Sequence, residues 1–248
     1  MKVVKKVFAQ PHSITDKPFH FCPGCHHGII HRLVGECIDF FRLKEKTVGV
    51  ASVGCSVFLY DYFAVDVVEA PHGRAAAVAT GVKRALPGHF VFTYQGDGDF
   101  AAIGTAEGMH AANRGENLTV IFVNNMIYGM TGGQMAPTTM PGEFTTTSPR
   151  GREPESAGYP IRMSEVLAQL PGANFVARGM VTDPKNLMQT KKLIRRAFEV
   201  QINKEGFGFV EILSSCPTNW KISPSEATKK VRDKMSSYFP LGIFKGKL

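Results

Sequence analysis

Apolar, β-branched runs alternate along the chain with segments whose apolar residues recur at helical spacing. The apolar runs predict strands at 47–52, 64–70, 90–95, 118–123, 174–181 and 207–213. Helices are predicted at 74–86, 101–113 and 184–203, and the last of these opens with the cap and first-turn proline of DPKN. Strands that are apolar throughout and separated by helices are typical of a parallel sheet covered on both faces. We therefore expect an α/β fold, with a doubly wound, mostly parallel sheet and helices on both faces.

Polar or reactive segments follow three of the predicted strands. VGCS comes after Ser52, GDGD after Gln95, and NNMIYGMTGGQ after Val123. Ligands of doubly wound sheets bind beyond the carboxyl ends of the strands, so we expect the three segments to converge on one crevice. The polar stretch 136–160 is longer than the ~12–15 residues usual for a structureless loop. It is therefore either functional or disordered, and we expect that a partner or a ligand orders it.

The size of the chain favours a single domain. With 248 residues, 44% of them hydrophobic, it can bury one sizeable core. We expect residues 1–248 to form one domain. A CxxC segment at about 20–30 and a C-terminal tail at about 217–248 are expected to be its appendages.

Charge and apolar runs restrict the class of partner. The net charge of +8 favours an anionic partner, but no aromatic residues interleave with the basic ones as a nucleic-acid platform requires. No stretch approaches the ~18–20 apolar residues of a membrane span, and the apolar run in MKVVKKVFAQPHSI is too short for a signal peptide. We expect a cytoplasmic protein, with no membrane or nucleic-acid partner, whose five cysteines stay reduced.

The GDGD segment is a candidate metal site. Gly96 and Gly98 leave room beside Asp97 for a bulky anion to approach the backbone. A bare carboxylate repels an anion, and a divalent cation removes that conflict. Asn124 and Asn125 follow the next strand and offer amide oxygens, so that oxygen ligands suited to Mg²⁺ would surround the ion. Taken separately, GDG also fits a hairpin turn and NN a helix cap.

The cysteines are candidates for a second inorganic site. Cys22 and Cys25 have CxxC spacing, Cys55 lies in VGCS, and Cys216 lies in SSCPTNW. A CxxC fits zinc, a redox thiol pair or an iron–sulfur cluster, although a compact zinc ribbon would need a second CxxC. Cys37, in the predicted helix IIHRLVGECIDFF, is interpreted as a small apolar packing residue.

Several of these motifs occur together in one known family. The pairing of GDGD with VNN resembles the signature of thiamine diphosphate enzymes, in their cofactor-binding half. CPGCHHG, GCS, HGRA, GDGD, VNN, MTGGQ and SCPTNW together resemble the beta subunits of 2-oxoacid:ferredoxin oxidoreductases, in that family's order, from about residue 22 to residue 220. The resemblance implies the thiamine diphosphate-binding fold, as its diphosphate-binding domain.

The resemblance also implies which residues hold the cofactors. Asp97, Asn125 and the Ile127 carbonyl would bind Mg²⁺. Cys22, Cys25, Cys55 and Cys216 would hold one [4Fe–4S] cluster. Asp97, Asn125 and Ile127 are implied to contact thiamine diphosphate as well. The further implied contacts of this cofactor are Gly54, Cys55, Ser56, His72, Gly73, Arg74, Gly96, Gly98, Asp99, Tyr128, Gly129 and Thr131. We interpret His26 and His27 as support for the cysteines or as the start of a helix.

The implied activity is the oxidative decarboxylation of a 2-oxoacid with coenzyme A to acyl-CoA and CO₂. Electrons would pass through the cluster to ferredoxin. A separate alpha subunit would supply the aminopyrimidine-binding domain and its glutamate, with ferredoxin-like gamma and delta subunits as further partners, so no catalytic acid or base is assigned to this chain. Phe58, in the aromatic run after Cys55, favours a branched-chain substrate such as 2-oxoisovalerate over 2-oxoglutarate.

Two alternatives remain open at this point. A non-oxidative thiamine diphosphate decarboxylase or synthase subunit would need no cluster. A Cys₄ zinc module with nucleic-acid affinity would contain zinc and no thiamine.

Overall fold

A computed structural model of the chain describes residues 9–248. Much of the N-terminal run that was considered for a signal peptide lies outside the described residues. Among the described residues, none of the helices combines the length and the apolar character needed to cross a bilayer.

The described residues form a seven-stranded sheet in the order β2-β1-β3-β4-β8-β7-β9, and β5 and β6 form a separate small pair. The strands are β1 (Thr47–Ala51), β2 (Asp66–Glu69), β3 (Phe90–Gly96), β4 (Thr119–Asn124), β5 (Ile127–Tyr128), β6 (Gln134–Met135), β7 (Ala173–Met180), β8 (Phe207–Leu213) and β9 (Gly242–Lys245). All neighbours in the large sheet are parallel except β7 and β9, which are antiparallel. The C-terminal tail therefore contributes an edge strand to the main sheet.

Helices cover both faces of this sheet. They are α1 (His27–Phe40), α2 (Leu59–Tyr62), α3 (Ala75–Ala85), α4 (Thr105–Asn113), α5 (Pro154–Ala157), α6 (Met163–Ala168), α7 (Pro184–Ile202), α8 (Pro217–Trp220), α9 (Pro224–Lys230) and α10 (Ser236–Tyr238). Buried side chains of α1 and α7 pack on one face, and those of α3, α4 and α6 pack on the other. The predicted α/β architecture is confirmed.

The helix predicted at 101–113 differs in its first turn. A π-helical turn, Asp99–Ile103, precedes α4, and Gly104 separates the two. A side chain at Gly104 would place its first carbon 2.5 Å from the Gly73 carbonyl oxygen. Close packing of these two glycine backbones therefore shapes the start of the helix, and it holds the GDGD segment against the loop that follows β2.

Candidate active site

Four neighbouring strands end at the same edge of the sheet and each delivers a candidate ligand. Cys55 follows β1, Asp97 follows β3, Asn125 follows β4 and Cys216 follows β8. These strands are adjacent in the sheet, in the order β1-β3-β4-β8. From β1 the chain first goes to β2 on one side and later to β3 on the other, so the edge contains a reversal of strand order, where ligands of doubly wound folds bind.

A cleft lies at this edge. The predicted contact residues that line it are Gly54, Cys55, Ser56, His72, Gly96, Asp97, Gly98, Asp99, Asn125, Ile127, Tyr128, Gly129 and Thr131. His27, Val53 and Met130 complete its lining. The three predicted segments therefore do converge on one crevice.

Asp97 is a buried carboxylate at the end of β3. Its Oδ1 accepts from the Gly98 N–H at 2.9 Å, and its Oδ2 accepts from Thr138 Oγ1 at 2.5 Å. Burial raises the pKa of the Asp97 carboxyl to about 6, even though Thr138 and neighbouring backbone N–H groups donate hydrogen bonds that lower it. A cation beside this carboxylate would favour its ionised form.

The turn after β4 brings oxygen atoms to the same cleft. Met126 has φ 61, in the left-handed region that non-glycine residues rarely adopt. Asn124 Oδ1 accepts from the Met126 N–H at 3.2 Å, and Asn125 Oδ1 accepts from the Ile127 N–H at 3.2 Å. Thr139 Oγ1 donates to the Met126 carbonyl at 2.5 Å. These bonds stabilise an irregular backbone that a regular strand could not provide.

Asp99 organises the loop that carries His72. Its Oδ1 accepts from the Gly73 N–H at 2.7 Å and lies 2.6 Å from His72 Nδ1, while its Oδ2 accepts from Gln95 Nε2 at 2.5 Å. This contact on Nδ1 orients the imidazole at the cleft. Asp99 therefore lines the cleft itself and also fixes the loop that carries His72 and Gly73.

Gly73 and Arg74 are not among the residues that line the cleft. Gly73 has φ 78 and packs on Gly104, and Arg74 pairs with Glu107 on α4. Phe58 also lies outside the lining, with its ring 4.8 Å from that of His20. The suggested cofactor contacts of Gly73 and Arg74 stay predictions.

Gly98 is required for the packing of Tyr128. A side chain at Gly98 would place its first carbon 2.2 Å from Tyr128 Cε1, whereas at Gly96 it would meet no atom of residues 9–248 within 4 Å. We expect Gly98→Ala to lower the free energy of unfolding by about 1–3 kcal/mol, since the aromatic ring must move. Gly96→Ala is the matched control and should change it by less than about 0.5 kcal/mol. Denaturant unfolding of the cofactor-free protein measures both, and equal effects of the two variants would contradict the packing argument.

The candidate cluster thiols gather on one side of the cleft. A side chain at Gly129 would place its first carbon 3.2 Å from Cys55 Sγ and 3.5 Å from Cys216 Sγ. Burial, together with the smaller effect of the charges that Cys55, Cys216 and Cys22 can carry, raises the pKa of the Cys25 thiol to about 12. Cys37 is buried in α1, as predicted, with its Sγ 3.9 Å from the Lys191 carbonyl oxygen.

The thiols are not arranged around a single ion. Within residues 9–248, no three His, Cys, Asp or Glu side chains are grouped as ligands of one metal ion. The thiolates of a four-iron cluster bind different iron atoms, so they stand farther apart than the ligands of one ion. The grouping around Gly129 is compatible with a cluster and does not favour a zinc site.

His27 is a cleft residue whose role the sequence did not reveal. It begins α1, as predicted, but it also lines the cleft, and its Nδ1 lies 2.8 Å from the Tyr94 hydroxyl. Burial lowers the pKa of His27 to about 3, so the imidazole is neutral at physiological pH.

The polar segment 136–160 makes many hydrogen bonds within the chain, and the expectation that a partner or ligand orders it stays a prediction. Thr138 and Thr139 donate to the two turns of the site, as described above. Arg152 is buried and donates to the backbone carbonyls of Ala136, Pro137, Thr139, Ala157 and Gly158. No sequence signal distinguishes these threonines from the other hydroxyl residues of the segment.

Comparison with known proteins assigns the chain to a family. Residues 52–212 match the family described as thiamine pyrophosphate enzyme, C-terminal TPP binding domain. The ketoisovalerate oxidoreductase subunit VorA of Methanothermobacter thermautotrophicus is 46% identical, over 98% of this chain and 53% of its own length. The 2-oxoglutarate synthase subunit KorB of Archaeoglobus fulgidus is 37% identical, over 87% of this chain and 76% of its own length.

A solved structure agrees with this assignment. The 2-oxoglutarate:ferredoxin oxidoreductase from Magnetococcus marinus, with 2-oxoglutarate, coenzyme A and succinyl-CoA bound, superposes with a TM-score of 0.76 and 25% identity, covering 98% of this chain and 86% of that one. The chain belongs to the thiamine pyrophosphate enzymes, and among them to the beta subunits of the 2-oxoacid:ferredoxin oxidoreductases. It spans about half the length of the ketoisovalerate oxidoreductase subunits that it matches. The alternative of a zinc module with nucleic-acid affinity finds no support in these matches.

Proposed function

We propose that this chain binds thiamine diphosphate, Mg²⁺ and one [4Fe–4S] cluster as part of a 2-oxoacid:ferredoxin oxidoreductase. The observation that carries the proposal is the composition of a single cleft. Asp97 and Asn125 provide oxygen ligands in it, and Cys55 and Cys216 provide thiols that meet at Gly129. Residues 1–248 would form a single thiamine diphosphate-binding domain within the larger enzyme.

The oxygen atoms of the cleft suit Mg²⁺. Asp97 is a buried carboxylate whose pKa is raised by burial, and a cation beside it would compensate its charge. Asn125 adds an amide oxygen, and the irregular turn after it adds the Ile127 carbonyl. Carboxylate, amide and carbonyl oxygens, together with those of a diphosphate, satisfy the preference of Mg²⁺ for hard ligands.

The thiols suit an iron–sulfur cluster. Cys22 is exposed, Cys25 and Cys55 are partly buried and Cys216 is buried, so one edge of a cluster held by them would face solvent. Asn219 Nδ2 lies 3.3 Å from Cys216 Sγ and also donates to the Gly129 carbonyl at 2.9 Å. A donor directed at a ligand sulfur stabilises negative charge there and influences the potential of the cluster.

The protein's own residues orient and shield the cofactors. When bound, thiamine diphosphate supplies the electron sink for decarboxylation of a 2-oxoacid, and the cluster supplies the route by which electrons leave. Asp99 holds His72 at the cleft, and Tyr94 holds neutral His27 there. Tyr128 covers Gly98 and closes the side of the cleft formed by the turn after β3.

The rest of the active site would come from other chains. Among the described residues that line the cleft there is no glutamate for the aminopyrimidine ring. Met130 lines the cleft and is 46% exposed, so a protein surface placed over it would bury apolar area. We propose an alpha subunit with the aminopyrimidine-binding domain as that surface, and gamma and delta subunits as further members of the hetero-oligomer.

Coenzyme A and ferredoxin are the proposed acyl and electron acceptors, which the bound ligands and the name of the Magnetococcus enzyme support.

The proposed substrate is a branched-chain 2-oxoacid such as 2-oxoisovalerate. Identity is higher to the ketoisovalerate subunit than to the 2-oxoglutarate subunit. The cleft lining, as far as residues 9–248 describe it, contains no Lys or Arg for the second carboxylate of 2-oxoglutarate. A buried carboxylate without a cationic partner is costly, so an apolar substrate tail is favoured.

The assembled complex tests the substrate assignment. We expect coenzyme A-dependent viologen reduction to be fastest, by kcat/KM, with 2-oxoisovalerate in a panel that includes pyruvate, 2-oxoglutarate and an aryl 2-oxoacid. Losing one well-placed ion pair or apolar contact to the substrate costs ~1–3 kcal/mol of transition-state binding. We therefore expect kcat/KM for 2-oxoisovalerate to exceed that for the other 2-oxoacids by about tenfold to 100-fold. A preference for 2-oxoglutarate would refute the substrate, and CO₂ release without viologen reduction would instead identify a non-oxidative enzyme.

A further inference from the structure

A buried carboxylate in the middle of the sheet has no role in the proposed function so far. Glu211 lies in β8, between apolar neighbours, and its side chain is 1% exposed. Its Oε1 accepts from Asn124 Nδ2 at 2.8 Å, and its Oε2 accepts from Ser164 Oγ at 2.6 Å. Burial of an ionised carboxylate is costly unless it is paired and hydrogen-bonded, so these contacts hold it in the core.

Arg178 neutralises this carboxylate from the neighbouring strand. The two residues are in register on β7 and β8, and Arg178 Nε lies 2.8 Å from Glu211 Oε2, close enough for an ion pair. The Arg178 guanidinium also binds both carboxylate oxygens of Glu165 and donates to the Pro240 carbonyl at 2.9 Å. Its Cζ atom lies over the Phe244 ring, 4.8 Å from the ring centroid. Arg178 is therefore the cationic partner of Glu211, and both Glu211 oxygens act as acceptors.

Asn124 transmits the contact to the cofactor turn. Its amide has a donor end, which binds Glu211, and an acceptor end, which binds the Met126 N–H at 3.2 Å. Met126 is the left-handed residue between Asn125 and Ile127, and its carbonyl is fixed by Thr139. Because a carboxylate can only accept, Glu211 determines which end of the Asn124 amide faces the turn.

From this arrangement we propose that Glu211 is a positioning residue for thiamine diphosphate and Mg²⁺, acting through the amide of Asn124. The proposal rests on the proposed function, because it takes Asn125 and the Ile127 carbonyl as Mg²⁺ ligands. Glu211 orients Asn124, Asn124 holds Met126 in its left-handed conformation, and that conformation aims the two ligand oxygens at one point. Groups that orient metal ligands in this way typically change metal affinity 10- to 100-fold when removed.

The test exchanges donors and acceptors between the two side chains. In Glu211→Gln, the Arg178 guanidinium, which can only donate, draws the amide oxygen toward itself, and the new NH₂ faces Asn124, whose amide must turn and lose its bond to Met126. We expect the Kd for thiamine diphosphate with Mg²⁺ to rise about 10- to 100-fold. Asn124→Asp should raise this Kd similarly, since the new carboxylate would then face that of Glu211. The double variant Glu211→Gln/Asn124→Asp restores one donor and one acceptor at each contact, and we expect it to recover most of the lost affinity.

Calorimetric binding to the assembled complex, with thermal unfolding in parallel, measures these effects. Ser164→Ala is the matched control because it removes a donor from the Glu211 oxygen that faces away from Asn124. It should lower stability with a much smaller change in Kd. Where Glu211→Gln does not fold, the comparison of Asn124→Asp with the double variant carries the same test.

Three outcomes are distinguishable. Weaker binding in both single variants and its recovery in the double variant support the positioning role. Unchanged affinity in Glu211→Gln, or a double variant that binds no better than Asn124→Asp, overturns it. Failure of the wild-type complex to bind thiamine diphosphate refutes the proposed function itself, before any variant is compared.

Discussion

Asp97→Asn should bind thiamine diphosphate and Mg²⁺ at least about 100-fold more weakly than the wild type, because removing one partner of a buried charge pair costs roughly 3 kcal/mol or more. The same change should stabilise the cofactor-free protein. The folded-state pKa of Asp97, about 6, lies above the ordinary value of 3.8, so this carboxyl destabilises the fold increasingly between pH 3.8 and pH 6 and by its full amount above pH 6. The amide side chain of the variant has no charge to bury. It can still accept a hydrogen bond from the Gly98 N–H and contact the Thr138 hydroxyl.

Calorimetric titration with thiamine diphosphate and Mg²⁺ measures the first effect. Denaturant unfolding of the cofactor-free protein at pH 7 measures the second, for which we expect a gain of about 1–3 kcal/mol. Asp66→Asn is the control, because Asp66 is an exposed aspartate at the start of β2 and the charge change is the same. It should alter neither quantity appreciably. Unimpaired cofactor binding by Asp97→Asn would exclude this carboxylate as the Mg²⁺ ligand.

Cys55→Ser should lose most of its iron and sulfide and reduce viologen only at background level. Serine is a poor replacement for a thiolate ligand, and Cys55 stands beside Gly129, where the thiols meet the cofactor cleft. Thiamine diphosphate affinity should fall by roughly tenfold or less, about 1.4 kcal/mol, since Asp97 and Asn125 are unchanged. Iron and sulfide analysis of anaerobically prepared protein, its visible spectrum and cofactor titration measure the three effects.

The fifth cysteine is the control for this experiment. Cys37 is buried in α1 and takes no part in the group around Gly129. Cys37→Ala should therefore keep the cluster spectrum and the viologen reaction, even if some packing energy is lost. An unaltered iron–sulfur spectrum in Cys55→Ser, or loss of the spectrum in Cys37→Ala, would reject the assignment of the ligands.

The motif residues were predictable because their positions depend on local rules. An apolar strand that ends in GDGD or VNN places those polar groups at the carboxyl edge of a parallel sheet, whatever the remaining chain does. CxxC spacing likewise brings Cys22 and Cys25 together without any long-range contact. What could not be predicted is the position of Arg74, whose guanidinium turns to Glu107 on a helix that is distant in sequence.

From the amino-acid sequence alone follow the alternation of strands and helices, the parallel sheet and the motifs that identify the family. These features depend on side-chain periodicity and on short segments, which are set before the chain packs. Tertiary structure alone decided that Thr138 binds Asp97, that His27 faces the cleft and that Glu211 reaches Asn124 from another strand. Each of these contacts joins residues far apart in the chain, so its distance and direction depend on how the sheet and its helices pack together.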